Sequence, residues 1–274
     1  MEAFKQMNLM RLNSEESFTQ EYTQLACYGF IHLKKVLSTA ALIEVRHALD
    51  YAFSDASSGR TNSLLEHGEA GDHLGAIQEM NHLLKILPAL KRSPLLAECN
   101  DLVNRILSRR TMPSFDHAIY KQPMSGSVHW HQDQAYKDKV KKMQSVHVWI
   151  PLQDTVPSMG CMQYVPGSHR LGNLRHQRSA TAHTLFAKLD GRACEDAVQV
   201  TASLGDVIIH LPQTLHSSLP NHSGEIRKAW IVHFSPYGYW EPLLPQNLLW
   251  YAQKKMRLLS LALGRRLDDQ ESDK

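Results

Sequence analysis

From about residue 113 the chain breaks into eight short runs rich in β-branched and aromatic residues, and no other feature narrows its fold as much. The runs are 115–121, 128–131, 146–152, 161–165, 197–201, 207–211, 214–218 and 227–234, separated by Gly, Pro, Ser and Asp. Short strands at this spacing, without helical segments between them, point to a closed or double-sheet antiparallel fold rather than a parallel sheet. Upstream the texture is helical. One helix starts near Ser14 and ends at Gly29, Phe30 to Leu33 reads as a short strand, and Ser38 caps a second helix carrying Leu42, Val45 and Leu49. Residues 54–75 are polar and Gly-rich and read as a loop. Residues 76–107 return to a helical period, with breaks at Pro88 and Pro94. The expectation is a mainly β fold with flanking helices, residues 1–274 forming one domain. It has a helical N-terminal part (14–110), a barrel core (113–236) and an amphipathic helical tail (248–267); the polar stretch 170–195 is an insertion in the barrel.

Composition excludes several classes. Hydrophobic residues at 43% supply a core, and 30 Lys+Arg against 27 Asp+Glu leave no electrostatic case for nucleic-acid binding. The lysines at 137, 139, 141 and 142 read first as a solvated face, and in the sharper reading as a lid over an anionic substrate. Cys27, Cys99, Cys161 and Cys194 form no CxxC pair, there is no apolar leader at the N-terminus, and no run is long enough to span a membrane. A cytoplasmic, reduced protein without nucleic-acid or membrane partners is expected, as a monomer or a homodimer through the tail.

The unusual count is 16 histidines. The densest group of metal-ligand types is His129-Trp130-His131-Gln132-Asp133, and on a strand alternate residues share a face. A His and a carboxylate two apart can therefore converge on one cation, with a third ligand from elsewhere. His210 and His216, which follow the Gly205-Asp206 turn, both qualify. Arg227 heads a largely apolar strand. It is either a solvated edge residue or, facing inward, a bidentate clamp for a carboxylate.

Together these residues resemble the phytanoyl-CoA dioxygenase family of Fe(II)/2-oxoglutarate oxygenases. His131-x-Asp133, then His216, then Arg227 carry the likeness. Val148-Trp149-Ile150-Pro151-Leu152, Gly160-Cys161-Met162, Val165-Pro166-Gly167-Ser168-His169, Gly205-Asp206 and Tyr28-Gly29-Phe30 extend it over most of residues 20–236. The resemblance implies a double-stranded β-helix, the jelly-roll or cupin-like barrel. It implies iron ligation by His131, Asp133 and His216 rather than His210, and 2-oxoglutarate as cosubstrate with its far carboxylate on Arg227. Trp149, Ser218 and His117 are implied as further cosubstrate contacts. An upstream lysine of some members has no counterpart, the similar stretch reading Ala76-Ile77-Gln78-Glu79-Met80. A carboxylate at Asp133 disfavours halogenation, which leaves O₂-dependent hydroxylation of a small molecule as the default. Cyclisation, epimerisation and desaturation use the same cofactor. The competing readings are a non-catalytic barrel that binds a ligand or metal, and a metal-dependent hydrolase or isomerase. Neither needs Arg227.

Overall fold

The computed structural model describes residues 15–57, 64–67, 77–137, 145–178, 185–188 and 194–236. Helix α1 (Glu15–Tyr28) stops at Gly29, which turns the chain with φ +83° into strand β1 (Phe30–Leu33). Only glycine fits there, because a Cβ would sit 2.5 Å from His169 Nδ1 and 2.6 Å from Thr214 Oγ1. Helix α2 (Thr39–Ser57) follows, then β2 (Leu64–His67), β3 (Ile77–Asn81) and the one-turn α3 (Leu83–Ile86). A 3-10 turn at Pro88–Arg92 leads to α4 (Pro94–Ile106), which Ser93 caps by accepting a hydrogen bond from the Leu96 amide at 3.2 Å.

All eight runs expected to be strands are strands: β4 (Met112–Lys121), β5 (Val128–His131), β6 (Val146–Pro151), β7 (Met162–Tyr164), β10 (Val198–Val200), β11 (Val207–His210), β12 (His216–Ser218) and β13 (Arg227–Ser235). Between β7 and β10, β8 (His176–Arg178) and β9 (Leu185–Ala187) form a small hairpin inside the insertion.

The strands build a seven-stranded sheet in the order β1-β11-β6-β13-β4-β3-β2 and a four-stranded sheet in the order β10-β7-β12-β5, all pairs antiparallel. The larger sheet is buried on both faces, and alternation along its strands sorts the two. Val148, Ile150, Val207, Ile209, Trp230 and Val232 pack outward with Leu42, Leu49, Leu95 and Leu102 of the helices. Trp149, Ile208, Ala229 and Ile231 pack inward against Met162, Tyr164 and Val200 of the smaller sheet. The double-stranded β-helix is therefore the fold, with the helices covering one sheet from outside.

Two local expectations need correction. Residues 77–81, read as the start of a helix, are strand β3 and pair with β4 from Ile77↔Lys121 to Asn81↔His117. Ile77 and Met80 are buried at a spacing that suits a helix as well as an irregular strand face, and pairing with β4 decides between them. The stretch 54–75, read as a loop, holds the last turn of α2 and strand β2. The tail 248–267, the lysines at 139, 141 and 142 and the remainder of that loop lie outside the described residues.

Candidate active site

His216 on β12 stands directly opposite His131 on β5, which brings the two imidazoles together with ring centroids 4.3 Å apart. Each ring is oriented in the same way. Nδ1–H of His131 donates to the carbonyl of His129 at 2.8 Å, and Nδ1–H of His216 donates to that of Thr214 at 2.9 Å. Both Nε2 atoms are thereby left as lone-pair donors. Asp133 is not on the strand, as the alternation argument supposed. It opens a 3-10 turn just beyond β5, and its carboxylate reaches to 3.5 Å from His131 Nε2 and 3.7 Å from His216 Nε2. The ligand-type atoms of these three residues lie within 4.8 Å of one another. Burial works against the charge of Asp133, yet His216, His147 and His131 hold its carboxyl well below the usual range. Burial and the neighbouring His131 keep His216 neutral, with its pKa well below the ordinary value. His131 shifts the other way: burial would lower its pKa, but the Asp133 carboxylate raises it above the ordinary value. Two imidazoles with inward Nε2 atoms and one ionised carboxylate are the donor set that a divalent iron takes, its binding displacing any imidazolium proton and leaving open positions, so the residues fit that ion.

Asp133 belongs to a second group as well. Its Oδ2 lies 2.6 Å from His147 Nδ1 and 3.1 Å from His210 Nε2. His210 thus reaches the same oxygen as His216, and it is His216 that shares a group with both His131 and Asp133. His147 stacks on His233 with ring centroids 3.4 Å apart and also fixes Asp133. His129 is exposed and contributes its carbonyl. Gln132, fully buried, turns away and clamps the insertion: its side chain bonds the carbonyls of Gly172 and Gln213 and the amide of Leu174.

The second pole of the interior is Arg227. It is 1% exposed, its guanidinium carbon lies 5.6 Å from the centre of the Trp149 ring, and its Nε and Nη1 have no hydrogen-bond partner among the described residues. Ser218, buried on β12, bonds Lys121, the strand neighbour of Arg227. Arg227, Trp149 and Ser218 are therefore brought together. His117 is not with them. It stands level with Ile231, four residues along β4 from the level of Arg227, and its Nδ1 bonds Glu79 Oε1 at 2.9 Å. Burial alone would lower its pKa, and the Glu79 carboxylate raises it. Gln78, in the stretch that stands in place of the upstream lysine of some members, accepts from Gln122 Nε2 at 2.6 Å. The buried lysine here is Lys121, one strand over. Its sign in the sequence is the alternation His117, Ile119, Lys121, which sets a lysine on the inward face of β4.

An orphaned, fully desolvated guanidinium costs several kcal/mol unless an anion joins it, and a carboxylate fits its planar fork. The interior thus offers a carboxylate seat at one end and a cation seat at the other.

Comparison with known proteins agrees. The family model for phytanoyl-CoA dioxygenase (PhyH) matches residues 25–229. A probable alpha-ketoglutarate-dependent hypophosphite dioxygenase of Stutzerimonas stutzeri is 25% identical over 185 residues, 65% of this chain and 63% of that protein. Phytanoyl-CoA dioxygenase of Arabidopsis thaliana is 27% identical over 161 residues, 58% of this chain and 56% of that protein. The chain thus spans less than two thirds of either relative. Among solved structures, EvdO2 from Micromonospora carbonacea var. aurantiaca complexed with 2-oxoglutarate superposes with a TM-score of 0.65 at 23% identity, covering 83% of this chain and 91% of that one. The epimerase SnoN in complex with Fe3+, alpha ketoglutarate and nogalamycin RO gives a TM-score of 0.65 at 18% identity, covering 81% and 84%. These two likenesses establish a shared fold.

Proposed function

The chain belongs to the phytanoyl-CoA dioxygenase family, and from that premise we propose that it is a non-haem Fe(II), 2-oxoglutarate- and O₂-dependent oxygenase that hydroxylates a small molecule while 2-oxoglutarate is decarboxylated to succinate. One observation carries the reading: the buried, unpartnered guanidinium of Arg227 shares a barrel interior with a His-Asp-His group. A hydrolase or isomerase using the same His-Asp-His group has no need for such a cation.

In this reading His131, Asp133 and His216 hold the iron. The ion, when bound, supplies the redox chemistry by which O₂ is activated against a C–H bond. The protein's own part is positioning. The carbonyls of His129 and Thr214 fix the two imidazoles, and His147 and His210 fix the carboxylate. Arg227, over Trp149, orients the far carboxylate of the cosubstrate so that its 2-oxo acid end faces the three ligands, with Ser218 beside it. His117, with Glu79, lines the interior at the level of Ile231. Apolar Phe30, Ile208, Ile231 and Met162 keep water from the space between. A small substrate, anionic in the sharper version, would enter near the insertion that Gln132 clamps. The four cysteines are unpaired, and the location proposed is the cytoplasm, where thiols stay reduced. No helix among the described residues is long and apolar enough to cross a membrane.

The test is anaerobic titration with Fe(II) and 2-oxoglutarate, read by a weak visible metal-to-ligand band, followed by succinate release in air. A band and uncoupled succinate are expected. Absence of both would return the chain to the class of non-catalytic barrels.

A further inference from the structure

Lys121 and Arg227 are register partners at the ends of β4 and β13, so two cationic side chains enter the barrel side by side. Both are buried, Lys121 at 0% exposure and Arg227 at 1%. From β12 and the turn after it, Lys121 meets only neutral acceptors, Ser218 Oγ at 3.2 Å and the carbonyl of Leu219. From β3 it meets Ile77. The titratable or charged groups that face it are Arg227 on β13 and Cys161 ahead of β7; Arg227 also faces Tyr164 on β7. Burial keeps that thiol and that phenol protonated. Among the described residues no carboxylate is paired with either cation.

Two adjacent cations stripped of water and lacking an anion repel each other, and the pair relaxes when one of them gives up its proton. A guanidinium keeps its proton at neutral pH, whereas an ammonium can release one. Burial and the Arg227 charge bring Lys121 down to about 6, and Arg227 only to about 10. We propose that Lys121 is a proton-switched second cation for the far carboxylate of 2-oxoglutarate: neutral while that carboxylate is absent, and protonated from solvent when it docks on Arg227. The inference rests on the cosubstrate site described above. One N–H bond forms at Nζ, the proton comes from the buffer, and no electron moves. Each cosubstrate bound then takes up one proton.

The sign follows from linkage. A group whose pKa rises on binding supports affinity fully below its free value and progressively less as pH climbs above it. Between about pH 6 and the bound-state value, affinity should fall about tenfold per pH unit.

Calorimetric titration of 2-oxoglutarate into the Fe(II)-loaded protein at pH 7.5, without oxygen, in buffers of differing ionisation enthalpy counts the protons. The expected results are uptake close to one proton in the natural chain and none in Lys121→Met or Lys121→Gln, with a flat pH profile of affinity in both variants. Binding without proton uptake in the natural chain would overturn the proposal and leave the oxygenase reading standing. Uptake that persists in both variants would overturn it equally. No binding in any buffer would reject the cosubstrate site itself, and this inference with it.

Discussion

Nδ1 of His147 lies 2.6 Å from Oδ2 of Asp133, so the carboxylate that faces His131 and His216 is tethered to the larger sheet behind it. Partners of this kind orient a ligand, and their loss typically weakens metal binding by about 10–100-fold. His147→Phe, which keeps the stacking volume against His233, should weaken Fe(II) affinity by that order while the fold is retained. Competition against a chromogenic chelator measures it, and an unchanged affinity would reduce His147 to packing.

His131→Ala, Asp133→Ala and His216→Ala should each abolish turnover and cut bound iron to background, with circular dichroism unchanged, because each removes one of three ligands. His210→Ala should keep part of both. Near-normal iron and activity in His216→Ala, together with loss in His210→Ala, would shift the third ligand to β11.

Arg227→Lys preserves charge and discards the planar fork. The apparent KM for 2-oxoglutarate should rise about tenfold or more, the scale of one lost charge-assisted hydrogen bond, while kcat recovers at saturating cosubstrate. An unaltered KM would make Arg227 a structural cation.

Asp206 closes the turn before β11 by accepting from His32 Nε2 at 2.9 Å, the Lys35 amide at 3.0 Å and the Ser203 amide at 2.9 Å. Burial would raise its pKa, but these donors, His32 first, depress it. A depressed carboxylate contributes stability above its unfolded value of about 3.9 and loses it as pH falls through the folded one. Asp206→Asn should destabilise by about 1–3 kcal/mol at neutral pH, and the gap to the natural chain should close below about pH 4. Urea midpoints across pH check this; a gap that stays constant into acid would show that the charge is immaterial.

Where the pattern of residues is local, the fold and site were legible. Eight runs bounded by breakers became eight strands, and His131, Asp133 and His216 converge. What escaped depends on partners remote in sequence. Ile77 and Met80 satisfy a helical spacing, and only β4 makes them a strand. His147 lies in Val146–Pro151, which is buried throughout, so nothing along that run marks which face looks into the barrel. Asp133 was placed on the strand because alternation cannot see the turn that follows β5. Lys121 escaped as well: alternation with His117 turns it inward, but its weight comes from standing beside Arg227, which is a matter of register.

The edge strand β1 has a consequence for how the molecule comes into being. It completes its sheet only by joining β11, and the His32–Asp206 contact that secures the join links residues 174 positions apart. Closing so long a loop is slow compared with forming helices or hairpins. During synthesis, the apolar segment Phe30–Leu33 stays without its strand partner until β11 has been made. The nascent chain is then exposed to wrong pairings, and chaperone capacity rather than final stability should limit the yield of soluble protein.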